Sequence, residues 1–67
     1  MPDQLLTKRE LEIMRFVVVG MSNREISEKI FISEHTVKWY VKSIYSKIGV
    51  HNRAQAVVRA NELRLRS

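Results

Sequence analysis

Apolar residues recur along this chain at the spacing of a helix rather than in the alternation of a strand. In the first such segment Leu11, Met14 and Val18 follow one another at i, i+3 and i+7, which places them on one face of a helix. Three further segments repeat this period, and turn residues separate them. The pattern predicts an all-α fold, a four-helix bundle containing a helix-turn-helix, with helices at about 8–19, 23–31, 34–48 and 53–64.

Each predicted helix begins with a residue that can cap it. In a capping box the cap hydroxyl accepts a hydrogen bond from the amide three residues on, and the side chain of that residue accepts from the amide of the cap. The start signals in chain order are Thr7 with Glu10, Ser22 with Glu25, Ser33 alone, and Asn52 with Gln55. Gly20 and Gly49 follow the first and third helices, where glycine suits the backbone of a helix end. We expect both capping-box glutamates to be structural residues.

Size and composition exclude several classes of protein. With 67 residues and no cysteine, the chain can form one small core without disulfides or a thiolate metal site. Its longest purely apolar run, residues 16–19, is far short of the roughly 20 residues that cross a bilayer. The two histidines, His35 and His51, lack metal-ligand spacing, and no phosphate-binding loop accompanies them. We expect one domain over residues 1–67, no enzymatic activity, no cofactor and no metal, and, without a signal peptide, a cytoplasmic location.

The positive charge is concentrated in the second half of the chain. The net charge is +5 at pH 7 and the pI is about 10.1. Residues 1–32 hold five basic and five acidic side chains, whereas residues 33–67 hold seven basic and two acidic ones. Such a balance indicates an anionic partner, either nucleic acid or an acidic membrane surface.

The third predicted helix separates apolar from basic residues. At 100° per residue, its apolar positions fall within about 60° of one another and must face the core; they are Val37, Val41, Ile44 and Ile48. The opposite face has donors and no acidic residue, which suits the base edges of a major groove. We expect base contacts from Lys38, Trp39, Lys42 and His35. The alternatives are that the lysines serve solubility, that His35 is a surface residue without a role, and that Trp39 folds onto Tyr40 or Lys42 or packs on another domain.

Several polar residues around this helix are candidates for contacts with the DNA backbone. Helix N-termini attract phosphate, and basic or amide side chains can flank them. The candidates are Asn23, Arg24, Ser33, Thr36, Lys47, Asn52 and Arg53. Helix capping is a compatible second role for Ser33 and Asn52, and ordinary surface charge is the alternative for Lys47.

The last predicted helix carries two apolar faces. Ala56, Ala60 and Leu63 share one narrow sector, which suffices to cover a small core. A second sector roughly opposite predicts a dimer interface formed by Ala54, Val58, Asn61 and Leu65. The alternative is a frayed chain end with scattered surface apolar residues. A two-fold dimer would place two reading helices about 34 Å apart on one side of a duplex.

Four separate stretches resemble the LuxR-type helix-turn-helix domain of bacterial transcription regulators, also called FixJ/NarL-like or GerE-like. They are Leu6-Thr7-Lys8-Arg9-Glu10, Ser22-Asn23-Arg24-Glu25-Ile26, Ile32-Ser33-Glu34-His35-Thr36-Val37-Lys38, and Lys47-Ile48-Gly49-Val50 with Asn52-Arg53-Ala54-Gln55-Ala56. The sequence from Thr36 to Val41 and from Ile44 to Lys47 is similar to the C-terminal domains of large ATP-binding, MalT-like regulators. The chain departs from many relatives at Tyr40, where they have histidine.

The resemblance implies a domain whose third helix reads DNA and whose fourth helix dimerises. Base contacts would fall on Lys38, Trp39 and Lys42, and backbone contacts near Asn23, Thr36 and Lys47. The sequence thus predicts specific binding of double-stranded DNA in regulating bacterial transcription, as a homodimer, with RNA polymerase as a further candidate partner and no membrane. The alternatives are a sigma-factor-like promoter-recognition domain and a protein-interaction or membrane-surface module built on a basic amphipathic helix.

Overall fold

A computed structural model describes residues 5–63 of the chain. It contains the helices α1 (Lys8–Val18), α2 (Asn23–Ile30), α3 (Glu34–Ile48) and α4 (Arg53–Leu63), with no strand in that range. The predicted all-α class and all four helices are confirmed. The first two helices each end one residue earlier than predicted, and predicted residue 64 lies outside the described range.

The core lies where α1 meets α3 and α4, and where α2 packs on α3. Side chains that are at most 1% exposed come from every helix: Ile13, Met14, Val17, Ile26, Val37, Ile44, Ala56 and Ala60. Fully burying one of the large aliphatic side chains contributes about 1.5–3 kcal/mol. Leu6 and Val50 lie outside the helices and close the two ends of this cluster. The small alanines let α4 approach α1 closely.

The predicted helix starts are present. Thr7 Oγ1 accepts from the amide of Glu10 at 3.1 Å, and Glu10 Oε1 accepts from the amide of Thr7 at 2.8 Å. Ser22 and Glu25 form the same pair of bonds at 3.1 and 2.8 Å. The start of α4 differs from a capping box by one residue. Asn52 Oδ1 accepts from the amide of Gln55, but Gln55 Oε1 accepts from the amide of His51 rather than from that of Asn52.

The ends of α2 and α3 share one backbone geometry with very different side chains. Phe31 has φ 60° and Gly49 has φ 74°, both in the left-handed region. The next amide then donates to the carbonyl five residues back, Ile32 to Ser27 and Val50 to Tyr45. A bulky residue in this conformation costs roughly 1–2 kcal/mol. The predicted end at residue 31 differs from the structure because this left-handed backbone ends α2 at Ile30. The resulting turn of residues 31–33 sets α3 against α2 as a helix-turn-helix.

Within residues 5–63, no helix is both long enough and apolar enough to cross a membrane.

Candidate nucleic-acid interface

Burial of one face of α3 presents its opposite face to solvent. Val37 is 0% exposed and Ile44 is 1% exposed, so the helix is held by the core along its inner side. Lys38, Lys42 and Ser46 lie on the other side and are exposed. The separation of faces predicted for this helix is therefore confirmed at its centre.

Two clefts flank this exposed ridge. The first, which we call the α2-side cleft, is lined by Asn23, Lys38, Lys42, Tyr45, Ser46 and His51, together with Val41 and the loop that follows α3. The second, the α1-side hollow, is lined by Trp39, Lys42, Ser43, Ser46 and Lys47. Because Lys42 and Ser46 line both, they form the ridge between the clefts. No acidic side chain of the described residues lines either one.

The inward stripe predicted for α3 differs from the structure at Val41. This residue is only partly buried and lines the α2-side cleft beside the lysines. The core is already closed at that level by Val37 and Ile44. Val41 therefore packs against the core and also lines the cleft, as the apolar Val50 does.

Trp39 lies beside the ridge, on the side of α1. Its side chain is 63% exposed. The ring meets the half-buried ring of Tyr40 edge to face, with centroids 5.2 Å apart and planes at 76°. Contact with Tyr40, the alternative for this residue, is thus present, yet most of the indole surface remains available to a partner.

The three lysines of α3 differ in their ionic environment. Lys38 and Lys42 have no acidic partner within residues 5–63, whereas Lys47 Nζ lies 2.8 Å from Glu10 Oε1. Ser43 Oγ also donates to Glu10, at 3.3 Å, and the Glu10 side chain is 4–5% exposed. Most of the unpaired positive charge of α3 is therefore on its outward ridge.

Glu10 is held as a carboxylate. Burial by itself raises the pKa of its carboxyl group, but the hydrogen bond and charge of Lys47 and the amide of Thr7 outweigh burial and leave the pKa below its ordinary value. Glu10 is therefore a member of the capping box of α1 and also links α1 to α3. Sequence reasoning identified the cap and missed the link.

Several of the predicted backbone-contacting residues have partners inside the domain. Ser33 Oγ accepts from the amide of Thr36 at 3.0 Å, and the two hydroxyls lie 2.9 Å apart. Arg53 donates from both terminal nitrogens, to the carbonyls of Val17 and Met21, each at 2.8 Å. These bonds show structural roles, and contact of these residues with phosphate stays a prediction.

The remaining backbone candidates are at the edges of the helix-turn-helix. Asn23 opens α2 and lines the α2-side cleft. Arg24 is exposed and lies 3.7 Å from Glu28 in a surface ion pair. His35 is exposed one residue inside α3, and Asn52 caps α4 through its Oδ1. The structure brings Asn23 next to Lys38 and Lys42 and leaves Arg24 outside the cleft.

The two faces predicted for α4 are distinguished by burial. Ala56 and Ala60 are 0% exposed, whereas Val58 is 59% exposed. Ala54 and Asn61 are exposed on the same side as Val58, and Leu65 lies outside the described residues. Two apolar members of the predicted interface, Ala54 and Val58, therefore face solvent, and the pairing of this face with a second chain stays a prediction.

Sequence reasoning missed two exposed residues that the fold makes prominent. His51 lies in the α2-side cleft, although it comes after α3 in the chain. Phe31 is 93% exposed in the turn before α3. The sequence signal for Phe31 was its position three residues before α3, at the start of a turn where a polar residue or glycine would be usual. Within the described residues, no group of three or more metal-ligating side chains is present.

Comparisons with known proteins agree with this geometry. The family described as "Bacterial regulatory proteins, luxR family" (GerE) matches residues 4–60. The CsgBAC operon transcriptional regulatory protein of Escherichia coli (strain K12) is 50% identical over 58 residues, covering 87% of this chain and 27% of that protein. Transcriptional regulatory protein LiaR of Bacillus subtilis (strain 168) is 46% identical over 61 residues, covering 91% of this chain and 29% of that protein.

A solved structure extends the likeness to the fold. The crystal structure of the response regulator ChrA, from a heme-sensing two-component system, superimposes with a TM-score of 0.86 at 48% identity, over 90% of this chain and 30% of that one. This chain thus spans less than a third of the length of these relatives. Since the family matches most of its residues, the chain belongs to the luxR family of bacterial regulatory proteins, as a helix-turn-helix DNA-binding domain of transcription regulation.

Proposed function

We propose that this domain binds double-stranded DNA with sequence specificity by placing α3 in the major groove. The observation that carries this proposal is the exposed ridge of α3, where Lys38 and Lys42 stand without acidic partners among residues 5–63. A lysine can donate to guanine O6 and N7, and the major groove admits one helix. Trp39 would contact thymine methyls or a sugar edge, and His35 a base near the start of α3.

The backbone contacts follow from how the ridge enters the groove. The two clefts beside it would each face one of the strands that border the groove. Asn23 lines the α2-side cleft and Lys47 the α1-side hollow. Ser33 and Thr36 present the N-terminus of α3, and Arg24, Asn52 and Arg53 complete the proposed set. For Lys47 and Arg53 this contact would add to the bonds that they form inside the domain.

The exposed stripe of α4 supports a homodimer on DNA. Ala54 permits close approach of two helices, Val58 supplies apolar area, and Asn61 can donate across the interface, with Leu65 extending the same sector. A symmetric pair of domains would read two half-sites about one helical turn apart.

The wider setting follows from the same chemistry. A regulator of transcription works where the chromosome is, so we infer a cytoplasmic protein in which residues 1–67 act as one DNA-binding domain without enzymatic activity, with RNA polymerase as a further candidate partner. The membrane-surface alternative needs a free apolar face on α3, and Val37, Ile44 and Ile48 are buried in the core. The resemblance to a sigma-factor-like domain receives no support from the luxR match.

Selection of bound sequences from a random duplex pool tests the proposal and reveals half-site spacing. We expect enrichment of one motif and an affinity that falls log-linearly with salt. An affinity for duplex that does not change with salt would overturn DNA binding.

Lys42→Ala then separates base contact from backbone contact. We expect it to reduce preference for the selected site over random duplex by about 1–3 kcal/mol. Lys29→Ala, which removes an exposed lysine from α2, is the matched control and should leave the preference unchanged. An equal loss on both duplexes in Lys42→Ala would assign Lys42 to a phosphate.

Val58→Glu tests the dimer. We expect weaker binding to a two-half-site operator with little change in folding, since Val58 is exposed. An unchanged sedimentation profile and unchanged affinity would refute the α4 interface.

A further inference from the structure

His51 is brought to the DNA-facing side by the short loop between α3 and α4. Its main-chain amide donates to Gln55 Oε1 at 2.8 Å, which ties the loop to the first turn of α4. His51 is exposed and lines the α2-side cleft together with Asn23, Lys38 and Lys42. The loop therefore holds an imidazole at a defined place without burying it.

The side chains around this cleft are suited to an anion. Two lysines, an amide, a tyrosine hydroxyl, a serine hydroxyl and an imidazole line it, and no acidic side chain of the described residues does. The cleft borders the ridge proposed to enter the major groove, so the groups nearest to it on bound DNA are phosphates of one strand. Phosphate contacts of this kind do not depend on base sequence.

We propose that His51, in its protonated form, binds a backbone phosphate of DNA in the α2-side cleft, so that duplex binding strengthens as the pH falls from about 8 to about 6. This inference rests on the proposed function, and adds a residue and a pH response to it. A histidine side chain exchanges its proton close to neutral pH, where no other ordinary side chain does.

The sign of the effect follows from the charges that face His51. The cationic Lys38 and Lys42 line the same cleft, and Tyr45 beside them is neutral near pH 7. On the α4 side, Arg59 and Glu62 share a hollow with His51 and pair with each other at 3.3 Å. A DNA phosphate would add negative charge beside the imidazole and favour its protonated form, so binding takes up a proton and acid favours the complex.

Lys29→Ala is the control, because Lys29 is an exposed basic residue of α2 that lines neither cleft. The probe is a mixed-sequence duplex of about two helical turns at low salt, since a phosphate contact requires no operator. We expect the wild-type dissociation constant to fall by about fivefold from about pH 8 to about pH 6, the size of an exposed charge pair. His51→Ala should abolish this change, and Lys29→Ala should retain it.

A second variant supplies a permanent charge. His51→Lys should bind at all pH values about as tightly as the wild type does at acid pH, and His51→Ala should lower the slope of log affinity against log salt by about one. Circular dichroism melting controls for folding, which an exposed side chain should not disturb.

The outcomes separate this inference from the proposed function. A pH response that survives in His51→Ala would overturn the role of His51 while salt-dependent duplex binding stands. A wild-type domain that binds no duplex even at low salt would overturn the proposed function itself.

Discussion

The two capping boxes of this domain are the same locally and differ in what surrounds them. Each has its pair of hydrogen bonds at 3.1 and 2.8 Å, one around Thr7 and Glu10 and one around Ser22 and Glu25. Glu10 is nevertheless buried and bonded to α3, whereas Glu25 is exposed and, among the described residues, forms side-chain hydrogen bonds only within its own box. One local motif therefore serves as a simple helix start in α2 and as a tertiary link in α1.

The difference shows how the fold positions its reading helix. Through Glu10, the first turn of α1 contacts Ser43 and Lys47, which lie 33 and 37 residues later in the chain. The outward ridge of α3 runs between those residues and the α2-side cleft. The direction of the ridge thus depends on an ionic contact at one side as well as on the apolar core below.

Replacing the two glutamates gives the largest expected contrast. Glu10→Ala removes the carboxylate that accepts from the amide of Thr7 and leaves Lys47 and Ser43 without their partner at a partly buried site. We therefore expect the free energy of unfolding to fall by about 2–3 kcal/mol. Glu25→Ala should lower it far less, because water can replace a carboxylate that is fully exposed. Urea denaturation measures both, and equal losses would show that the link to α3 adds nothing to the cap.

A double-mutant cycle isolates the ionic part of that contrast. Glu10→Gln combined with Lys47→Met should give a coupling energy of about 1–2 kcal/mol, since one partner is buried and the other half exposed. Glu25→Gln combined with Lys47→Met is the control and should be additive within about 0.5 kcal/mol. A coupling of zero in the first pair would reduce Lys47 to an ordinary surface charge.

Acid should weaken the link before it disturbs the core. The pKa of Glu10 is lowered from its ordinary value of about 4.5, so its contribution is complete above that pH and is lost as the pH falls through the lower folded value. We expect stability to decline below about pH 4.5, and less steeply in Glu10→Gln, which lacks the titrating carboxyl group. In chemical denaturation, parallel pH profiles for wild type and variant would contradict this account.

Exchanging the two hydroxyl caps should have the smallest effect. Thr7→Ser and Ser22→Thr each keep the oxygen that accepts from the third amide of the helix, so we expect changes within about 0.5 kcal/mol. Ser22→Ala, which removes the acceptor, should lower the unfolding free energy by about 1 kcal/mol. A large effect of either exchange would show that the boxes already differ at the level of the cap.

Much of the fold could be predicted because its signals are local. The period of Val37, Ile44 and Ile48 and the caps before each helix involve residues within a few positions of one another, and all of these predictions are confirmed. Phe31 was not predictable in the same way. Its left-handed backbone depends on the packing of α3 against α2, which overrides a conformational preference of roughly 1–2 kcal/mol.

The residues of the candidate site also fall into those that local signals predicted and those that only tertiary packing positions. The helical period of 100° per residue placed Lys38 and Lys42 on the outward face of α3 correctly. It could not place Arg53 against the carbonyls of Val17 and Met21, or His51 in the α2-side cleft, because these contacts join segments far apart in the chain. The binding roles of these residues, and the finer similarity to large ATP-binding regulators, stay predictions.

By itself, the sequence determined four helices, their starts, and a basic outward face on the third. These follow from hydrogen bonds and side-chain directions that repeat every three or four residues. The tertiary structure decided which cap glutamate is buried, which of the α3 lysines is neutralised, and which loop residue faces the cleft. Those outcomes depend on distances between helices, which a helical period does not contain.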